Sequence, residues 1–237
     1  MVRRAILLAV CAAACTAGDE ERERTNGAAE PAVSPVASES REDARTIVFI
    51  GTSLTAGLGL SEEQAYPALI QERIDAAGLN YTVVNRGVSG ETSAGARERI
   101  GWLLREPAEV YVIETGANDG LRGLGVDAIR ANIQAMIDTI RVAAPDAQIF
   151  LVAMESPPNL GPAYTSAFRR VYSELAAQND VELIPFLLDG VVGDPAYNQA
   201  DGMHPNAAGA RLVAENVWRG MEGELRATSD AGRAMRD

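Results

Sequence analysis

From residue 46 onward, short apolar runs alternate with amphipathic stretches, and that alternation leaves few folds open. Thr46-Ile47-Val48-Phe49-Ile50 is a β-branched run closed by Gly51, the pattern of a strand buried on both faces. Similar runs occupy 81–85, 109–114, 148–153 and 181–185. Between them the spacing predicts helices over 61–77, 93–104 and 163–178, and a closing helix over 205–225. The longest helix falls between the third and fourth strands, where Ile129, Ile133, Met136, Ile137 and Ile140 recur every three or four residues and mark one face. This order predicts an α/β fold: a three-layer α/β/α domain around a five-stranded parallel sheet, joined by right-handed crossovers. In such sheets ligands gather at the carboxyl ends of the strands.

The first 45 residues follow another logic. Residues 1–15 read as an export signal: Arg3-Arg4, an apolar run over 5–10, then small residues. The apolar run is too short for a permanent membrane span. Ala12-Ala13-Ala14-Cys15 resembles a bacterial lipobox, with Ala12 where that pattern usually has Leu. The resemblance implies cleavage before Cys15, lipidation of that cysteine and attachment to a membrane. An ordinary secretory signal is the alternative, and either reading places the protein in the periplasm, at the cell envelope or outside the cell. Residues 16–45, rich in Glu, Arg, Ser, Ala and Pro, lack apolar periodicity and are expected to form a disordered tether. The domain proper is expected over 46–226, about 180 residues and enough for a full core. The polar tail 227–237 is expected to fray.

Composition narrows the chemistry. A net charge of −12 argues against a partner with a phosphate backbone, so no nucleic acid is expected. Cys11 and Cys15 both fall in the leader, and His204 is the only histidine, which makes a zinc site improbable. No loop has EF-hand spacing, and Gly57-Leu58-Gly59 lacks the third glycine of a dinucleotide fingerprint. No metal or cofactor is expected.

Three loops at strand ends, and one stretch near the C-terminus, have compositions that suit a reaction. Gly51-Thr52-Ser53-Leu54 follows the first strand and offers a hydroxyl with its own N–H, although an N-cap serine would look the same. Gly87-Val88-Ser89-Gly90-Glu91-Thr92-Ser93 follows the second, where a glycine N–H can approach a ligand closely or merely serve a turn. Thr115-Gly116-Ala117-Asn118-Asp119-Gly120 follows the third, with an asparagine that can donate from its side chain or close an Asx-turn. Asp201-Gly202-Met203-His204-Pro205 pairs the lone imidazole with an acid three positions earlier, and Pro205 suits the first turn of the closing helix. Together these put a nucleophile, neutral N–H donors and an acid–base pair at one sheet edge, the parts that acyl transfer needs.

These motifs resemble those of the SGNH (GDSL-type) hydrolases, in the branch that holds bacterial thioesterases, lysophospholipases and arylesterases. The resemblance runs over about 46–225 and rests on four pieces in order: Ile50-Gly51-Thr52-Ser53-Leu54-Thr55-Ala56-Gly57, Asn85-Arg86-Gly87-Val88-Ser89-Gly90-Glu91-Thr92-Ser93, Gly116-Ala117-Asn118-Asp119-Gly120-Leu121-Arg122-Gly123 and Asp201-Gly202-Met203-His204-Pro205. It implies a flavodoxin-like SGNH-hydrolase fold and makes Ser53 the nucleophile, His204 the general base and then acid, and Asp201 the group that orients the ring. The N–H groups of Ser53 and Gly90 and the side-chain amide of Asn118 become the oxyanion hole. The family usually has Asp before the nucleophile, whereas this chain has Thr52, a difference expected to alter loop positioning more than proton transfer.

The resemblance implies hydrolysis of acyl esters or thioesters, including lysophospholipids and aryl esters, by a monomer acting on a small-molecule ester or lipid. Residues 154–164 after the fourth strand, and 121–124, are expected to wall the pocket, with plain connecting loops as the alternative. Aromatic residues are only 5% of the chain, so no groove for a long polysaccharide is expected. A carbohydrate O-deacetylase, or a non-catalytic binding lipoprotein on the same scaffold, are the rival readings.

Overall fold

A computed structural model describes the backbone of residues 44–234 and the side chains of residues 44–230. The expected leader and nearly all of the expected tether, with Cys11 and Cys15, lie outside the described residues. In chain order the elements are β1 (Arg45–Gly51), α1 (Ser53–Ala56), α2 (Tyr66–Ala76), β2 (Tyr81–Gly87), α3 (Ser93–Leu103), β3 (Val110–Ile113), α4 (Ala117–Leu121), α5 (Val126–Ala143), β4 (Gln148–Val152), α6 (Pro162–Asn179), β5 (Glu182–Ile184) and α7 (Ala207–Ala234).

The five strands form one parallel sheet in the order β2-β1-β3-β4-β5. The chain runs from β1 to β2 on one side and then crosses back to place β3 on the other. The direction of winding therefore switches at β1, and the carboxyl ends of β1 and β3 open a crevice there. Register brings the loop starts level, with Gly51 opposite Gly87 and Ile50 opposite Ile113. Ile47, Phe49 and Ile50 of β1 and the whole of β3 are buried, as central strands of a sheet covered on both faces require. The edge strand β5 is only three residues long and exposes Glu182, a combination that discourages pairing with another sheet edge.

On one face α3 packs on α5 and α5 on α6; on the other, α2 packs on α7. Ile129, Ile133, Met136, Ile137 and Ile140 of α5 are all fully buried, the stripe that their spacing predicts. Each such side chain contributes about 1.5–3 kcal/mol of transfer free energy on burial.

Local geometry departs from the sequence expectations in four places. The helix expected over 61–77 is broken: a 3-10 turn at Glu62–Gln64 gives way to extended Ala65, and α2 starts anew with Pro67 in its first turn. Proline cannot donate to a preceding turn, so it starts a helix more readily than it continues one. Pro205 is not in the first turn of α7; it sits in an isolated antiparallel bridge with Asn198. The helix is capped instead by Asn206, whose Oδ1 accepts the N–H groups of Ala208 (2.9 Å) and Gly209 (3.0 Å). At its other end α7 runs to Ala234, through eight residues expected to fray. The Thr228 carbonyl accepts from Arg45 (2.9 Å) and the Leu225 carbonyl from Tyr81 (3.3 Å), which tie this end of the helix to β1 and β2. The same contact draws in Arg45, which the composition assigns to the tether: its guanidinium lies 5.9 Å from the centre of the Tyr81 ring, and it begins β1.

No helix among the described residues is long and apolar enough to cross a membrane.

Candidate active site

The turn that leaves β1 is shaped by what it must avoid. A Cβ on Gly51 would lie 2.0 Å from Thr55 Oγ1 and 2.7 Å from Glu114 Oε2, so only glycine admits the close approach of α1 to β3. Gly87 plays the same part for β2, where a Cβ would lie 2.2 Å from the Ala56 nitrogen. These two contacts hold α1 against both neighbouring strand ends and place Ser53 above β1.

Ser53 is 8% exposed, and its hydroxyl does not cap α1; Oγ lies 2.8 Å from His204 Nε2. His204 Nδ1 in turn lies 2.6 Å from Asp201 Oδ2. The other carboxylate oxygen, Oδ1, accepts the N–H groups of Met203 (2.9 Å) and His204 (3.0 Å). The hydrogen bond from the His204 ring, followed by those two peptide N–H groups, holds the Asp201 carboxyl down at about 2. An ionised Asp201 can only accept, so Nδ1 carries the proton and Nε2 is left bare to accept from the Ser53 hydroxyl.

The histidine loop is tied to the serine loop through Gln199. Its side-chain amide donates to the carbonyls of Leu58 (2.6 Å) and Pro205 (2.9 Å), and its N–H to that of His204 (2.8 Å).

Gly90 and Asn118 border the same cleft as Ser53 and His204. Gly90 has φ +79°, which favours glycine, and its carbonyl is held by Arg122 at 3.0 Å. Neither the Gly90 N–H nor the Ser53 N–H, which opens α1, has an acceptor among the described residues. The Asn118 amide donates one N–H to the Glu91 carbonyl (2.9 Å) rather than closing an Asx-turn, and its second N–H is not engaged there. Asp119 locks the two loops together: its carboxylate accepts the Ser93 N–H (2.8 Å) and hydroxyl (2.6 Å). The five residues singled out by the sequence are thus brought together, three by direct hydrogen bonds and two across the cleft.

The cleft has a volume of about 630 Å³ and is mostly apolar. Met154, Pro157 and Leu121 come from the two stretches expected to wall it; Phe186, Leu188 and Val192, after β5, were not foreseen. The motifs in the sequence also pass over Glu114. This fully buried carboxylate lies directly under the serine turn and accepts the Thr52 N–H at 2.8 Å. An acid at the end of an apolar strand was the one available clue.

Comparison with known proteins identifies the family. The chain is 45% identical over 177 residues to the esterase TesA of Pseudomonas aeruginosa, covering 74% of this chain and 87% of that protein. It is 33% identical to thioesterase 1/protease 1/lysophospholipase L1 of Escherichia coli (strain K12), covering 73% and 81%. The crystal structure of the psychrotrophic esterase EstA from Pseudoalteromonas sp., inhibited by monoethylphosphonate, superposes with a TM-score of 0.73 at 31% identity, covering 77% of this chain and 99% of that one. Residues 49–212 match the GDSL-like lipase/acylhydrolase family, and the chain belongs to that family.

Proposed function

We propose that this protein is a serine esterase in which Ser53 attacks the acyl carbon, His204 moves the proton and Asp201 holds the imidazole. The observation that carries the reading is the continuous chain of hydrogen bonds from Ser53 Oγ to His204 Nε2 (2.8 Å) and from His204 Nδ1 to Asp201 Oδ2 (2.6 Å), at the mouth of an apolar cleft. Nε2 takes the hydroxyl proton as Oγ bonds to the carbonyl carbon, and the carbonyl oxygen becomes negative. The N–H groups of Ser53 and Gly90 and the free N–H of Asn118 then face that oxygen. Collapse breaks the bond to the leaving oxygen or sulfur, which departs with the proton from Nε2 and leaves an acyl-Ser53 ester. Water, losing its proton to the same nitrogen, attacks that ester; the acid leaves and Ser53 recovers its hydroxyl.

The apolar lining supports esters or thioesters with hydrocarbon acyl groups over acetylated sugars, and a single chain presents every proposed group. Export through residues 1–15 and lipidation of Cys15 belong to the same reading; mass spectrometry of the mature N-terminus decides the second. The reaction is tested with p-nitrophenyl esters of increasing acyl length and a fluorophosphonate probe. Ser53→Ala is expected to lose at least about 10³-fold in kcat and all labelling while keeping its fold. Near-normal turnover by that variant would remove Ser53 from the mechanism, and faster cleavage of acetylated sugars than of acyl esters would favour a deacetylase.

A further inference from the structure

Glu114 is the one buried acid under the proposed nucleophile that the reaction does not use. It directly follows β3 and is fully buried. Oε2 accepts the Thr52 N–H (2.8 Å) and the Thr55 hydroxyl (2.9 Å), and Oε1 accepts the Thr52 hydroxyl (3.0 Å). The Thr55 oxygen also lies 2.8 Å from the Tyr66 hydroxyl. The Thr52 N–H can only donate, and the ionised carboxylate, the form above about pH 7, can only accept; in that form it fixes the direction of the whole chain: Tyr66 donates to Thr55, Thr55 donates to Glu114, and Thr52 donates from the other side.

These bonds converge on the peptide that carries the nucleophile. The Thr52 N–H and side chain are held by Glu114, and the Thr52 carbonyl accepts from the Ala56 N–H at 2.9 Å. With both ends of Thr52 fixed, the plane of the peptide between Thr52 and Ser53 is fixed too. That plane sets where the Ser53 N–H points and where Ser53 Oγ stands relative to His204.

We propose that Glu114 is a positioning residue for acyl transfer: acting through the Thr52 N–H and the hydroxyls of Thr52 and Thr55, its carboxylate orients the Ser53 peptide so that nucleophile and first oxyanion donor face the same carbonyl. Thr52 is the specific partner in this chain. Its hydroxyl donates to the carboxylate where a second acid would have to share a proton with it. The proposal rests on Ser53 being the nucleophile.

Three variants test it. Thr52→Val keeps the N–H and removes the hydroxyl; Thr52→Ser returns a hydroxyl; Glu114→Gln keeps the shape but turns one acceptor into a donor. With a p-nitrophenyl ester at about pH 8, where Glu114 is mostly ionised, Thr52→Val and Glu114→Gln should each lower kcat at least about tenfold with KM changed less than about threefold, because a misplaced donor costs transition-state rather than ground-state binding. Thr52→Ser should remain within about twofold of the parent, and fluorophosphonate labelling of Ser53 should slow in step with kcat. Parent-like kcat in folded Thr52→Val, or a loss that Thr52→Ser shares, overturns the proposal, and that pair decides the matter even if Glu114→Gln fails to fold. Turnover by Ser53→Ala would instead refute the underlying reading, so the two failures look different.

Discussion

Replacing Asp201 by asparagine tests the proton-transfer machinery without touching the fold. Asp201 Oδ1 accepts two peptide N–H groups and Oδ2 accepts the imidazole Nδ1–H. An amide has one oxygen and one nitrogen for these two jobs. If the oxygen keeps the Met203 and His204 N–H groups, the NH₂ faces Nδ1, the ring proton moves to Nε2, and Nε2 donates to Ser53 instead of accepting from it. If the amide flips, Nδ1 keeps its proton, but the NH₂ then faces two N–H donors at about 3 Å and two hydrogen bonds of roughly 1 kcal/mol each are lost. The inactive tautomer is therefore favoured, and in either arrangement the negative charge that steadies the imidazolium is gone. The expected loss in kcat is about 10³–10⁴-fold, some 4–5.5 kcal/mol of barrier, in line with acid-to-amide changes in Ser-His-Asp triads. Because the Asp201 side chain is 41% exposed, thermal stability should barely move. Initial rates with a short p-nitrophenyl ester, normalised to folded protein by circular dichroism, measure the effect. A folded variant within tenfold of the parent refutes the assignment of the ring tautomer and with it the role of Asp201.

Burial pushes the Glu114 carboxyl up to about 7, against an ordinary value of 4.5. The folded state thus holds this proton more tightly than the unfolded chain, so the penalty is absent below about pH 4.5 and complete above about pH 7. The tyrosines that face it, Tyr66 and Tyr172, are pushed upward by burial and stay neutral across that window. The difference of about 2.5 units at about 1.4 kcal/mol each gives an order of 3 kcal/mol. Urea midpoints at pH 5 and 8 should differ more in the parent than in Glu114→Gln, and an equal difference in both removes Glu114 as the cause. Gly51→Ala places a Cβ against Thr55 and Glu114 and should destabilise by about 2–3 kcal/mol in urea melts; a shift under about 0.5 kcal/mol means that the turn has room to yield. Ile133→Ala, in the buried face of α5, should cost roughly 3 kcal/mol while leaving kcat per folded molecule unchanged, and a change in kcat without one in stability contradicts its place in the core.

What could be read from the sequence is what has a period or a motif. The apolar, β-branched runs match all five strands to within two residues, on the only partly buried edge strands β2 and β5 as well as in the buried centre of the sheet. The isoleucine spacing of α5 gave its buried face. The loops that hold Ser53, Gly90 and Asn118, and the pairing of the lone imidazole with Asp201, stand out by composition; which residue in each loop takes which proposed role comes from the resemblance to the SGNH hydrolases. By contrast α1 and α4, at four and five residues, are too short to show a helical repeat. The break before Pro67 and the cap at Asn206 turn on single backbone angles and hydrogen bonds. The far wall of the cleft, at Phe186 and Leu188, depends on how the chain folds back after β5, which no local pattern records. Glu114 was hidden for another reason: its importance lies in Thr52 and Thr55, two loops of sequence away, and becomes visible only when β1 and β3 pair.

The order in which the site is written along the chain has a consequence in time. Ser53, Gly90 and Asn118 are carried by β1, β2 and β3, the first half of the domain, whereas Asp201 and His204 arrive only in the loop that precedes α7. With the roles proposed above, a chain emerging from synthesis completes the groups that polarise an ester long before it acquires the base that activates the serine. Until its last segment docks, the growing protein then carries an unarmed nucleophile, and the proposed hydrolysis would report the finished molecule alone.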